Sequence, residues 1–153
     1  MNKNIYYSWN QFDADCERLA HWAQGFAFKN IFGIPRAGMV VAVKVSHLLN
    51  IPLITDPHEI SHPETLVVDD IVITGETISV LEEHVGDFLL ATLFWSGSGS
   101  EPDYYVRKRE GNIIFPWETK SDSFFEESVS RSIAIATSIK LGESIKVDKK
   151  GIA

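Results

Sequence analysis

The sequence predicts an α/β domain with a doubly wound, mostly parallel sheet flanked by helices. Two observations lead there. Short apolar runs rich in β-branched residues, such as Leu66-Val67-Val68, alternate at close spacing with stretches of helical periodicity, the pattern of strands buried on both faces and covered by helices. The two turns richest in polar chemistry, at Arg36 and at Asp69-Asp70, each follow such a strand, and ligands of these sheets sit beyond the carboxyl ends of the strands.

Taken in order, Ile5-Tyr6-Tyr7 reads as an edge strand. Ser8-Trp9-Asn10-Gln11 has the form of a capping box, with Ser8 as N-cap and Gln11 reaching back. Trp9, Phe12, Cys16, Leu19, Ala20 and Ala23 then follow helical spacing, which gives a helix over about 9–24 ending near Gly25. Cys16 lies on its apolar stripe and is read as packing; His21 and Trp22 are read as surface or partner-facing. Asn30 to Ile34 is the first central strand, and Gly33 to Met39 a turn. A strongly apolar helix over about 38–49 follows, with so little polar face that it suits packing between the sheet and a partner.

Ile51 to Thr55 is the second strand, Thr65 to Asp70 the third and Asp87 to Trp95 the fourth, with a helix from Gly75 to about His84 before the last. Ser96 to Ser100 is a flexible loop. Asp103–Val106 and Asn112–Phe115 form two further strands, joined by the basic Arg107-Lys108-Arg109 and a turn at Gly111. Ser123-Phe124-Phe125-Glu126 is a second capping-box form opening a helix to about 140, and the tail from 141 is polar and basic.

At 153 residues, 44% hydrophobic and 23% charged, the chain is one globular domain able to bury a good core. The net charge of −7 argues against nucleic-acid binding, which relies on clustered Lys and Arg. A single cysteine excludes an internal disulfide. With no apolar run of membrane-spanning length and no signal-peptide pattern, the expectation is a cytoplasmic protein.

The stretch that carries chemistry is Thr65 to Thr77, T-L-V-V-D-D-I-V-I-T-G-E-T. A strand that passes through a small-residue turn into a helix N-terminus presents unpaired N–H groups and the positive end of a dipole, a ready phosphate site. Two acids beside it suit paired hydroxyls or a hydrated Mg²⁺. A sugar phosphate satisfies both halves. The string His58-Glu59-x-x-His62 matches a zinc-protease pattern, but Pro57 and Pro63 leave at most five residues between them, too few for the stable helix that pattern needs.

V-V-D-D-I-V-I-T-G-E-T resembles the phosphoribosyl-pyrophosphate (PRPP) signature of type I phosphoribosyltransferases. The resemblance implies that Asp69 and Asp70 hold ribose hydroxyls and Mg²⁺, and that Ile73, Thr74, Gly75, Glu76 and Thr77 wrap the 5′-phosphate. It also implies that Pro35, Arg36, Ala37 and Gly38 form the loop for the departing pyrophosphate. The string Phe115-Pro116-Trp117-Glu118 and the 9–24 helix are similar to parts of the bacterial xanthine–guanine enzymes, with Phe115 and Trp117 expected over the base. That likeness divides a single domain, 1–153, into a core of about 26–96, a hood from about 1–10 and 100–122, and a C-terminal helix of about 124–140.

The activity implied is transfer of ribose 5-phosphate from PRPP to a nucleobase of purine type, by a homodimer or higher homo-oligomer. The alternative is a PRPP- or nucleotide-binding regulator that has lost turnover. Three departures from the family pattern fall on the base side. Ile73 stands where an acid is usual, Trp95-Ser96 where a lysine is usual, and only 56–64 connects the second and third strands.

Overall fold

The capping box at Ser8 forms as its sequence requires. In a computed structural model describing residues 3–119, the Ser8 hydroxyl accepts from the Gln11 backbone N–H at 3.1 Å, and the Gln11 side-chain oxygen accepts from the Ser8 N–H at 2.9 Å. Helix α1 (Trp9–Ala23) follows strand β1 (Asn4–Tyr6) and buries Phe12, Cys16, Leu19, Ala20 and Ala23. Burial pushes the Cys16 thiol up to about 12, the behaviour of a packing residue and not of a nucleophile.

The chain continues through β2 (Asn30–Gly33), α2 (Gly38–Leu49), β3 (Leu53–Ile54), a 3-10 turn (Pro57–Glu59), β4 (Thr65–Val72), α3 (Glu76–Val85), β5 (Leu89–Trp95), β6 (Tyr104–Lys108) and β7 (Asn112–Ile114). Five strands form one parallel sheet in the order β3-β2-β4-β5-β6, and β1 pairs in parallel with β7 in a separate two-stranded sheet. Helices α1 and α2 cover one face over Cys16, Leu19, Val41, Val45, Leu66, Val68 and Leu93. The other face packs Phe32, Val67, Val72 and Leu90 against Ile78 and Leu81 of α3. Strand β4 thus sends Leu66 and Val68 into one core and Val67 and Val72 into the other, as its unbroken apolar run predicts. The strand order reverses direction between β2 and β4, and ligands of such sheets bind beyond the carboxyl ends at that switch point.

Four details differ from the sequence expectation. Strand β4 runs on to Val72, because Ile71 and Val72 pair with Phe94 and Trp95 of β5, so Asp69 and Asp70 lie within the strand and not at its end. Strand β3 is confined to two residues, where the edge position and Pro52, which has no N–H to donate, limit pairing. The last two strands are not neighbours: β6 joins the main sheet, carrying the core on to Lys108, while β7 crosses to β1. Trp22 is half-buried and stacks on Tyr104, with ring centroids 4.9 Å apart and planes 12° apart. The helix expected at about 124–140 and the tail beyond it lie outside the described residues.

Candidate functional site

Two segments meet at the switch point. Gly33 pairs with Val68, and the Ile34 N–H donates to the Val68 carbonyl at 2.9 Å, so the turn Pro35–Gly38 is laid beside Asp69. Gly38 is needed for this approach: a Cβ there would stand 2.8 Å from the Val68 oxygen and 3.0 Å from Asp69 Oδ1. The Pro35–Arg36 peptide is cis, and Pro35, Arg36 and Ala37 are each half-buried.

Asp70 is 9% exposed and Asp69 is half-buried. Each holds the backbone locally: Asp69 Oδ1 accepts from the Asp70 N–H at 2.9 Å, and Asp70 Oδ1 from the Ile71 N–H at 2.8 Å. Burial pushes both carboxyls above the ordinary carboxylate range, and repulsion from Asp70 raises Asp69 further. Among the described residues no Lys, Arg or His forms an ion pair with either one. Two hard anionic oxygen donors held together without a cation are a fitting donor set for Mg²⁺, which takes one or two carboxylates and completes its shell with water and substrate oxygens.

Beyond them, Ile73 is half-buried, and Gly75 caps α3 with φ +83°, a left-handed conformation that glycine adopts without steric cost. Among the described residues no side chain caps this helix, and the Glu76 amide donates to Thr74 Oγ1 at 3.3 Å. Thr74 and Glu76 are exposed and Thr77 half-buried. A helix start with amides open to solvent attracts anions. The loop after β5 braces this turn, with Ser96 Oγ donating to the Ile73 carbonyl at 2.7 Å. Sequence reading took Ser96–Ser100 only as a flexible loop; its small residues, placed directly after a central strand, were the available signal.

Phe115 and Trp117 do not play equal parts. Phe115 is 4% exposed and sits in the core against Tyr7 and Phe94. Trp117 stacks on it at 4.8 Å, stays half-buried, and touches Phe12 and Trp9 of α1. The Trp117 indole N–H is buried with no hydrogen-bond partner among the described residues. Next to it, burial raises the Glu118 carboxyl to about 7, with the Asp70 charge adding to the rise. Glu118 therefore brings a third acid toward the pair from β7's side, a placement that no spacing in the sequence revealed.

A parallel sheet whose switch point holds paired acids, a glycine-capped helix start and a flanking turn defines a protein that grips a phosphorylated, polyhydroxylated ligand. No family model matches the chain. It is similar to the xanthine-guanine phosphoribosyltransferase of Desulfotalea psychrophila, 31% identical over 140 residues, covering 74% of this chain and 86% of that one. It is 27% identical to the enzyme of the same name from Idiomarina loihiensis, over 76% of this chain and 88% of that one. Among solved structures, a purine phosphoribosyltransferase from Pyrococcus horikoshii superposes with a TM-score of 0.68 at 29% identity, covering 76% of this chain and 95% of that one. A xanthine-guanine-hypoxanthine phosphoribosyltransferase of Helicobacter pylori shares the fold with a TM-score of 0.67 at 18% identity, covering 81% of this chain and 99% of that one. The chain belongs to the type I phosphoribosyltransferase family, alongside the xanthine-guanine enzymes. It is accordingly an enzyme of PRPP-dependent transfer to a nucleobase.

Proposed function

We propose that the acceptor is a 6-oxopurine or related purine, in a salvage reaction that depends on Mg²⁺. The observation that carries this reading is the buried Asp69–Asp70 pair, without a basic partner among the described residues, beside the turn Thr74–Thr77. The names of the relatives support a purine, as does the half-buried indole of Trp117, which offers a stacking face with Phe115 as its support. A ring nitrogen of the base attacks the anomeric carbon of the ribose, the bond from that carbon to the pyrophosphate oxygen breaks, and pyrophosphate leaves.

In this reading the chain contributes position and charge, not covalent chemistry. The amides and hydroxyls of Thr74–Thr77 hold the 5′-phosphate through charge-assisted bonds, each worth roughly 1.5–3 kcal/mol. Asp69 and Asp70 orient the 2′ and 3′ hydroxyls and hold the cation. Arg36, in the turn Pro35–Gly38, steadies the pyrophosphate. Bound Mg²⁺ would supply charge neutralisation for the phosphates. A cytoplasmic homodimer belongs to the same proposal. It is supported by the reduced, buried Cys16 and by the apolar face of α2, where Val43 is 46% and Leu48 37% exposed. Sedimentation velocity showing only monomer would remove the dimer.

The deciding experiment is steady-state release of pyrophosphate from PRPP and Mg²⁺ with hypoxanthine, guanine, xanthine, adenine, orotate and uracil in turn. Turnover with a purine is expected. Turnover confined to orotate or uracil, or absent with every base, would overturn the purine assignment.

A further inference from the structure

The histidines of the string His58-Glu59-x-x-His62 do not meet on a helix, since Pro57–Glu59 is a single 3-10 turn. His58 turns instead toward His84 in the last turn of α3, where the two Nε2 atoms are 3.4 Å apart and the ring planes lie at 74°. That is long for a nitrogen-to-nitrogen hydrogen bond. It is close to the spacing of two imidazole nitrogens on one tetrahedral cation, where bonds of about 2.0–2.1 Å put the donors about 3.3 Å apart.

The surroundings favour the second arrangement. Asp56 Oδ1 accepts from the His58 backbone N–H at 2.9 Å and lies 2.9 Å from His58 Nδ1. An ionised carboxylate can only accept, so Nδ1 donates to it, and in the neutral ring that tautomer leaves the Nε2 lone pair facing His84. A carboxylate on the far nitrogen of a ligating histidine is the usual support of such metal sites. His84 also places a cation at the negative end of the α3 dipole. The His58 side chain is 58% exposed and His84 is half-buried, so water can fill the remaining positions. Among the described residues no group of three or more metal-binding side chains forms, and these supply two ligands here.

We propose that His58 and His84 bind one late first-row divalent cation, of which Zn²⁺ is the probe, and so clamp the β3–β4 connection to α3. Imidazole nitrogen suits Zn²⁺, Ni²⁺ and Cu²⁺, whereas Mg²⁺ prefers carboxylate and phosphate oxygen. The clamp is therefore chemically separate from the acid pair. It spans the short connection that precedes β4 and the helix whose opposite end is the phosphate turn.

The test uses the untagged full chain, stripped with chelator and titrated with ZnCl₂ by calorimetry in excess Mg²⁺, with melting followed in parallel. One zinc equivalent that raises the melting temperature is expected. His58→Ala and His84→Ala should each abolish that equivalent, His62→Ala should keep it, and Asp56→Asn should weaken it about tenfold or more. Asp70→Asn should bind zinc as the parent does. The proposal is overturned if the parent binds no zinc, if either histidine variant binds it equally well, or if Asp70→Asn loses it. It fails also if His84→Ala lowers the melting point equally with and without zinc, since the pair would then be a plain structural contact.

Discussion

At Asp15 a fully buried carboxylate accepts from the Tyr7 hydroxyl at 2.7 Å and from Arg107 Nε and Nη2 at 2.6 and 3.1 Å. Within β4 two neighbouring carboxylates share a buried position, and among the described residues the donors they accept from are their neighbouring backbone N–H groups and each other. The two environments differ in the partners they supply. Burial raises the Tyr7 hydroxyl, with the bond to Asp15 adding to it, and the bond to Asp15 raises the Arg107 guanidinium, so the tyrosine stays neutral and the arginine charged. At Asp69 and Asp70 the same burial opposes ionisation. A buried acid supplied with its donors is architecture: it ties α1 to β6 and to Tyr7, which follows β1. A buried acid pair left short of them among the described residues is what the proposed cation and ribose hydroxyls would complete.

This contrast can be broken in order of expected effect. Asp15→Ala removes one partner of a buried pair and strands Arg107 and Tyr7, so it should cost on the order of 3 kcal/mol in urea unfolding. PRPP binding by the remaining folded protein should be intact; near-parent stability would show that the cluster is not a structural tie. Asp70→Asn should do the reverse, cutting kcat/KM about tenfold to a hundredfold through loss of a charge-assisted bond. Its melting temperature by calorimetry should hold or rise, because a like-charge neighbour has gone. Unchanged kinetics would dismiss the acid pair as the site.

Gly38→Ala sharpens the link between packing and site. The added methyl meets the Val68 carbonyl and Asp69 Oδ1, and overpacking of this kind costs roughly 1–3 kcal/mol. The variant should lose PRPP affinity together with stability, and loss of stability alone would separate the α2 start from the site. The smallest effect concerns Glu118. Its carboxyl is raised from an ordinary 4.5 to about 7 in the fold, so the folded state binds a proton that the unfolded chain has given up. Its contribution to stability is full below about 4.5 and is lost as pH rises through about 7. Because the group is only half-buried, the loss should stay below about 1 kcal/mol. Melting curves at pH 5 and pH 8 should converge for Glu118→Gln relative to the parent; an identical pH slope would show that Glu118 does not titrate in this range.

Much of the architecture was legible because it rests on local signals. The Ser8–Gln11 capping box, the apolar face of α1 and the limits of α2 at Gly38 and Leu49 all follow from spacing that acts within a turn or two. The turn into α3 at Gly75 was legible because glycine, threonine and a following helix occur together in one short string. The roles of the basic run Arg107-Lys108-Arg109 were not legible, for the opposite reason. Arg107 belongs to Asp15, 92 residues away in sequence, Lys108 lies over the Trp95 ring at 5.6 Å, and Arg109 Nε donates to the Gly111 carbonyl at 2.7 Å. Of Phe115 and Trp117, only the tryptophan stays half-exposed, a difference that two aromatics one residue apart do not announce.

The sequence by itself determined the βα alternation, the order of the elements and the string of acids, glycine and threonines, since each depends on periodicity, caps and turn chemistry among near neighbours. Tertiary structure alone decided which acids are satisfied and which are left wanting. It also turned His58 toward His84 instead of His62, and carried β7 across to β1. These outcomes depend on contacts between segments far apart in the chain, and burial and charge at such contacts are set by the packed whole.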